Sequence, residues 1–242
     1  MQIDVLAFGA HPDDVELFAG GTLARLASRG RTTGIVDLTR GELGTRGTPD
    51  LRAEEAREAA RHLKLSIRES LDLPDGSVVA NPETRLALVR ALREYRPRIV
   101  LTHYWEDRHP DHVATSLLVA AAAHHAGLAR IDTGQERFRP AAVLYFKLPH
   151  GRTPSFVVDV SEFASERRAA IAAYRSQLFD SASREPGTYL SRPDFLAQIE
   201  SIHAYYGALI GKPLGEAFYV KNVMEIADPV DVFPEAVATG LF

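Results

Sequence analysis

Along the first hundred residues, short apolar runs alternate with stretches whose apolar positions recur at helical spacing. Ile3–Phe8 is a compact apolar run, followed by Val15, Phe18, Ala19, Leu23 and Leu26 on one helical face, closed by Gly30. Ile35–Leu38 predicts a second strand and Arg52–Leu63 a helix with Ala56, Ala59, Ala60 and Leu63 on one side. A third strand is predicted near Ile67–Leu71, then a helix through Leu86, Val89 and Leu92 that stops at Arg96-Pro97. Arg98–Thr102 predicts a fourth strand, and Pro110–Ala126 the helix after it. Strands alternating with helices of this length predict βαβ units: an α/β fold with a mostly parallel sheet covered on both faces.

The pattern then loosens. Ala142–Lys147 and Phe156–Val160 predict two further strands, Ser161 a cap for a helix over Glu162–Gln177, and Pro193–Ile210 a last helix. Between those helices, Phe179–Pro193 is polar and rich in Ser, Gly and Pro, the composition of a loop or lid. No linker or low-complexity tract interrupts the chain, so one domain over 1–242 is expected. Its βα core would cover 1–130, and a less regular part, 131–242, would shape a pocket.

Composition narrows the chemistry. The 242 residues are 45% apolar and 25% charged, as in ordinary globular proteins. A net charge of −4 argues against nucleic acid as the partner. The first ten residues lack the basic leader of a signal peptide, and no apolar run approaches the roughly 18–20 residues of a membrane span. A cytoplasmic location is therefore expected. With no cysteine among nine histidines, disulfides, thiolate metal sites and a Cys nucleophile are excluded. A metal would have to be held by His, Asp or Glu.

Two tetrapeptides supply such groups. His11-Pro12-Asp13-Asp14 follows the first strand, and His109-Pro110-Asp111-His112 follows the fourth; each opens a helix. Ligands of open α/β sheets bind at the carboxyl ends of strands, which places both motifs on one rim. Together they offer three imidazoles and three carboxylates. Two His and one carboxylate suffice for a divalent ion such as zinc, with Fe²⁺ and other transition ions also suited, and the remaining groups could serve as general base and acid. Spacing alone does not say which group is ligand and which is base. His103 and His150, near strand ends, stay open as pocket residues. His62, His124, His125 and His203 lie in predicted helices and are expected at the surface or behind the site. The sequence lacks G-x-S-x-G, a phosphate-binding G-x-x-x-x-G-K-[ST], H-E-x-x-H and a dinucleotide G-x-G-x-x-G, which sets aside those enzyme classes.

AHPDD at 10–14 with Gly20-Gly21, TRGELGTRG at 39–47, RAEEAREAA at 52–60 and HPDH at 109–112 resemble the LmbE/PIG-L-like metal-dependent deacetylases, nearly throughout the chain. EDRHPDH at 106–112, FVVDVSEF at 156–163, YRSQ at 174–177 and YGALIGKPLGEAF at 206–218 are most similar to the branch of bacillithiol synthesis that deacetylates N-acetylglucosaminyl malate. The resemblance implies a Rossmann-like three-layer sandwich and a small-molecule N-acetylglucosamine conjugate as substrate. Other N-acetyl sugars, such as a mycothiol precursor, a chito-oligosaccharide or an antibiotic intermediate, are the alternative, and a non-catalytic sugar-binding module the remoter one. The resemblance also implies metal ligands His11, Asp14 and His112, with Asp13 as general base. His109 would be general acid or oxyanion stabiliser, oriented by Asp111. Arg46, Arg52 and Arg108 are expected to contact the substrate, the guanidinium suiting a carboxylate such as malate, with pairing to Glu55 or to an active-site Asp the equal alternative for Arg52. Asp75 is expected to bind sugar hydroxyls or cap a turn. A tyrosine placed near the site in relatives falls between Tyr189 and Phe195 without a unique match. A homo-oligomer, such as a hexamer, is also implied, and Tyr205-Tyr206 and Leu209-Ile210 are candidates for its interface or for the core.

Overall fold

The computed structural model describes residues 2–232, so residues 233–242 of the expected domain lie outside the described residues. The elements run β1 (Val5–Gly9), α1 (Asp14–Ser28), β2 (Thr33–Asp37), α2 (Pro49–His62), β3 (Ile67–Ser70), α3 (Pro82–Tyr95), β4 (Ile99–His103) and α4 (Pro110–Ala126). They continue with β5 (Ala142–Phe146), β6 (Phe156–Asp159), a 3-10 turn at Ser161–Phe163, α5 (Ala164–Ala172), α6 (Phe195–Ala208), β7 (Gly215–Val220) and the short α7 (Pro229–Val232).

One seven-stranded sheet has the order β3-β2-β1-β4-β5-β7-β6. The first five strands are parallel, while β7 is antiparallel to both neighbours. The parallel part is the expected Rossmann-like arrangement, and its order reverses between β1 and β4. That reversal opens a crevice at their carboxyl ends, where the two tetrapeptides follow. Alternation along β1 sends Leu6 and Phe8 to a core shared with Leu92 of α3 and Leu118 and Val119 of α4. Val5 and Ala7 go to a second core with Leu23 of α1, Ala59 of α2 and Ala170 of α5. Both faces are covered, giving a single-domain three-layer sandwich.

The later elements depart from the pattern-based reading. The helix expected over Glu162–Gln177 ends at Ala172, because Ser176 donates both its backbone N–H and its hydroxyl to Glu55 of α2, and Gln177 donates to the carbonyl of Arg46. Ser161 does not cap that helix; its hydroxyl turns back to Asp159. Pattern reading also passed over β7. It is held by tertiary contacts: the buried carboxylate of its Glu216 accepts backbone N–H groups of Gly21 and Thr22 in α1, at 2.8 and 2.7 Å. A Cβ on Gly21 would lie 2.8 Å from that of Val160, so this approach of strands to helix requires glycine.

Candidate active site

The HPDD turn leaves β1 and bends sharply into α1. Asp14 closes it, accepting the backbone N–H of His11 at 2.9 Å. Asp13 adopts φ 107° and ψ −28°, a left-handed conformation that is strained for a residue with a Cβ. Arg52 of α2 reaches across to hold it: Nη2 donates to Asp13 Oδ2 at 2.9 Å and to the carbonyl of Pro12. The HPDH turn is braced differently. Asp107 Oδ1 accepts the His109 N–H at 2.8 Å, and His109 Nδ1 accepts the Asp111 N–H at 3.3 Å at the start of α4.

The two turns interlock through Asp14. Its Oδ2 lies 3.3 Å from both His11 Nδ1 and His103 Nε2, and its Oδ1 lies 3.1 Å from His112 Nε2. The other nitrogen of His11 faces Asp75 at 3.0 Å and Asp111 at 3.3 Å; that of His112 faces Asp107 at 3.1 Å. His11 and His112 thus each turn one nitrogen to Asp14 and have the other held by a carboxylate, as metal-ligating histidines characteristically do. Three sets of donor atoms each lie within 4.8 Å of one another: His11, His109 and His112; Asp14, His103 and His112; and His11, Asp75 and Asp111.

The electrostatics suit a cation. Burial opposes charge on Asp14, but His112 and His103 outweigh it and hold the carboxyl well below its ordinary value. Burial likewise opposes protonation of His11 and His112, yet their carboxylate partners raise both. The donor set therefore keeps protons where a divalent ion would take their place. Asp13 behaves in the opposite way. Burial, only partly offset by Arg52, pushes it up to about 7. His109 is lowered by burial and by the charges of His11 and His112, and His103 is pushed down to about 3, first by burial and then by His112.

The family description "PIG-L: GlcNAc-PI de-N-acetylase" matches residues 6–123, which contain both turns. The crystal structure of the conserved protein TT1542 from Thermus thermophilus is 40% identical, with a TM-score of 0.84 over 93% of this chain and 98% of that one. The chain belongs to the PIG-L family. It is also 26% identical over 224 residues to diacetylchitobiose deacetylase of Thermococcus kodakarensis, covering 88% of this chain and 80% of that protein. It is 27% identical over 238 residues to 1D-myo-inositol 2-acetamido-2-deoxy-alpha-D-glucopyranoside deacetylase of Nocardia farcinica, covering 72% and 80%.

In this PIG-L deacetylase fold the cluster opens into a cavity of about 840 Å³, whose lining includes His11, Asp13, Asp14, His109, His112 and Arg52. Arg108 also lines it, its guanidinium 4.1 Å above the ring of Tyr189. Tyr189 packs edge-on against Phe195, and both line the cavity. Of the other candidates, Arg46 and Asp111 depart from the expected contacts, and Arg52 takes its alternative of pairing with an active-site Asp. Arg46 does not line the cavity: it is buried and committed to the Leu178 carbonyl and to Glu185. Arg52 holds Asp13. Asp75 lines the cavity, but its oxygens go to His11 and to the backbone N–H of Leu43. Asp111 turns its carboxylate to His11, Gly76 and Val78; only its backbone N–H meets His109, because Asp111 sits in the first turn of α4 with its side chain directed away from the capping ring.

Sequence reasoning missed Asp107 and Lys147 and left His103 open. Lys147 Nζ lies 2.8 Å from Asp107 Oδ2, beside His112. Despite burial, the hydrogen bond from His112 and the Lys147 charge keep Asp107 well below the ordinary carboxylate range. Asp107 stands two residues before HPDH, which is the available signal; Lys147, one residue beyond β5, had none. His103 is fully buried and stacks on His112 with centroids 4.1 Å apart. His203 is buried and lines the cavity rather than lying at the surface.

Proposed function

We propose that this chain removes the N-acetyl group from an N-acetylglucosamine conjugate, using a divalent ion, zinc, held by His11, Asp14 and His112. The observation that carries this reading is the division between two adjacent carboxylates. Asp14 is surrounded by imidazole nitrogens and ionised, while Asp13 is kept outside that cluster by Arg52, with its pKa at about 7. A general base works best with a pKa near the operating pH. A bound ion would supply Lewis acidity to the acetyl carbonyl and lower the pKa of a water molecule.

The chain's own groups do the rest. Arg52 occupies Asp13 Oδ2, which leaves Oδ1 to take a proton from the attacking water. His109 accepts a backbone N–H on Nδ1, so its neutral ring carries its proton on Nε2 and donates a hydrogen bond to the tetrahedral oxyanion. With its pKa lowered, His109 is a donor rather than a proton source. The proton taken up by Asp13 then passes to the departing sugar nitrogen.

The finer reading is a malate conjugate in bacillithiol synthesis, supported by Arg108, which has no carboxylate partner among the described residues and lines the cavity. The named relatives support chitobiose or inositol-linked N-acetylglucosamine instead. Exposed Tyr205, Leu209 and Ile210 at the end of α6 support a homo-oligomer. No described helix is long and apolar enough to cross a membrane.

The test is amine release from N-acetylglucosamine, its malate conjugate, diacetylchitobiose and the inositol conjugate, with and without chelator, alongside metal analysis. Chelator-sensitive release is expected, and preference for the malate conjugate supports the finer reading. Metal-containing protein that releases no amine from any of the four would favour a binding module and refute the proposal. Asp13→Ala is expected to keep the metal and lose most activity; an emptied site would refute the split between base and ligand.

A further inference from the structure

The strained turn carrying Asp13 and Asp14 is braced from two sides. Arg52 holds its front edge. Behind it, in the first turn of α1, Glu16 is fully buried, and its Oε1 accepts from Arg68 Nη1 and from the Tyr174 hydroxyl at 2.6 Å. Arg68 Nε donates to Asp37 Oδ2 at 2.8 Å, and Nη2 donates to the Tyr174 oxygen at 2.9 Å. Asp37 is the last residue of β2, Arg68 lies on β3, and Tyr174 follows α5. One guanidinium therefore ties α1 to two strands and to the segment behind α5. Asp37 and Tyr174 are buried like Glu16, and the Arg68 side chain is nearly so.

Two buried carboxylates sharing one guanidinium are a poor device for stability, since packed apolar side chains often serve as well. What the network supplies is direction. The planar fork of arginine makes three hydrogen bonds at fixed angles, which lysine cannot. Strained backbone persists only where its surroundings over-determine it.

We propose that Arg68 is a positioning residue: through Glu16 it locks the first turn of α1 against β2 and β3 and so sets the orientation of Asp13 and Asp14. The proposal rests on reading Asp14 as metal ligand and Asp13 as base.

The experiment compares wild type, Arg68→Met, Arg68→Lys and Tyr174→Phe in the full chain. It measures zinc affinity by competition with a chromogenic chelator, thermal unfolding without metal, and kcat and KM for N-acetylglucosamine. Arg68→Met is expected to weaken zinc binding and kcat by about 10–100-fold, the range for groups that orient ligands, with KM little changed. Arg68→Lys should recover part of both, and Tyr174→Phe should fall between wild type and Arg68→Met. A purely structural role would lower the unfolding temperature and leave zinc affinity and kcat at wild-type values, which would overturn the proposal. If Arg68→Met does not fold, Tyr174→Phe, lacking one hydroxyl, decides by the same readouts. Wild type that binds zinc and releases amine beside unaffected variants defeats this proposal alone; wild type that does neither defeats the deacetylase reading and this proposal with it.

Discussion

Replacing Arg52 with methionine keeps most of the side-chain volume and removes the charge 2.9 Å from Asp13 Oδ2. At an effective dielectric of about 20, that attraction is about 6 kcal/mol, a ceiling because water enters the space vacated. If a quarter to a half of it is lost, Asp13 rises by about 1–2 pKa units. In the metal-free protein, starting from about 7, the ionised fraction at neutral pH then falls about 5–50-fold. The acid limb of the kcat/KM profile of Arg52→Met should move upward by the same amount, with activity returning as pH rises. The assay is amine release from N-acetylglucosamine across the pH range, at saturating zinc. The same shift has a sign in stability. Asp13 binds its proton more tightly folded than unfolded, so its ionisation costs the metal-free protein stability as pH rises from about 4 to about 7. Arg52→Met should deepen that loss. An unmoved acid limb, or a loss equal at every pH, would refute Arg52 as the group that keeps Asp13 available as base.

Three further outcomes follow from the geometry. Asp111→Asn should weaken zinc binding about 10–100-fold in a dialysis measurement, because it disturbs the carboxylate that holds His11 Nε2; unchanged zinc affinity beside lost turnover would return Asp111 to His109. Gly41→Ala, at φ +66° with the new Cβ overlapping Arg52 Nη1, should cost about 1–3 kcal/mol in urea unfolding and displace Arg52, reproducing the shift in the acid limb. His109→Ala should keep its zinc and lose about 10²–10³ in turnover, and a milder loss would remove it from oxyanion stabilisation.

The parallel half of the sheet was legible because β1, β4 and most of the helices around them each carry an uninterrupted hydrophobic period, and because β1 and β4 end in chemically explicit turns. The part after residue 131 was less so. The helix from Ala164 stops early for the sake of Glu55 and Arg46, and β7 is held between antiparallel neighbours by Glu216; partners so distant in sequence leave no local signal.

The same division runs through the candidate site. The absence of cysteine and the paired HPDD and HPDH turns are properties of the sequence itself, and they limit any metal to imidazole and carboxylate ligands on one rim. Which carboxylate faces which imidazole was decided only by tertiary structure. Asp111 turned to His11, Arg46 and Arg52 were taken up by the protein, and His103, Asp107 and Lys147 joined the cluster. The reason is physical: spacing along the chain sets which groups can reach a crevice, whereas hydrogen-bond direction, burial and pKa depend on neighbours brought from other strands and helices.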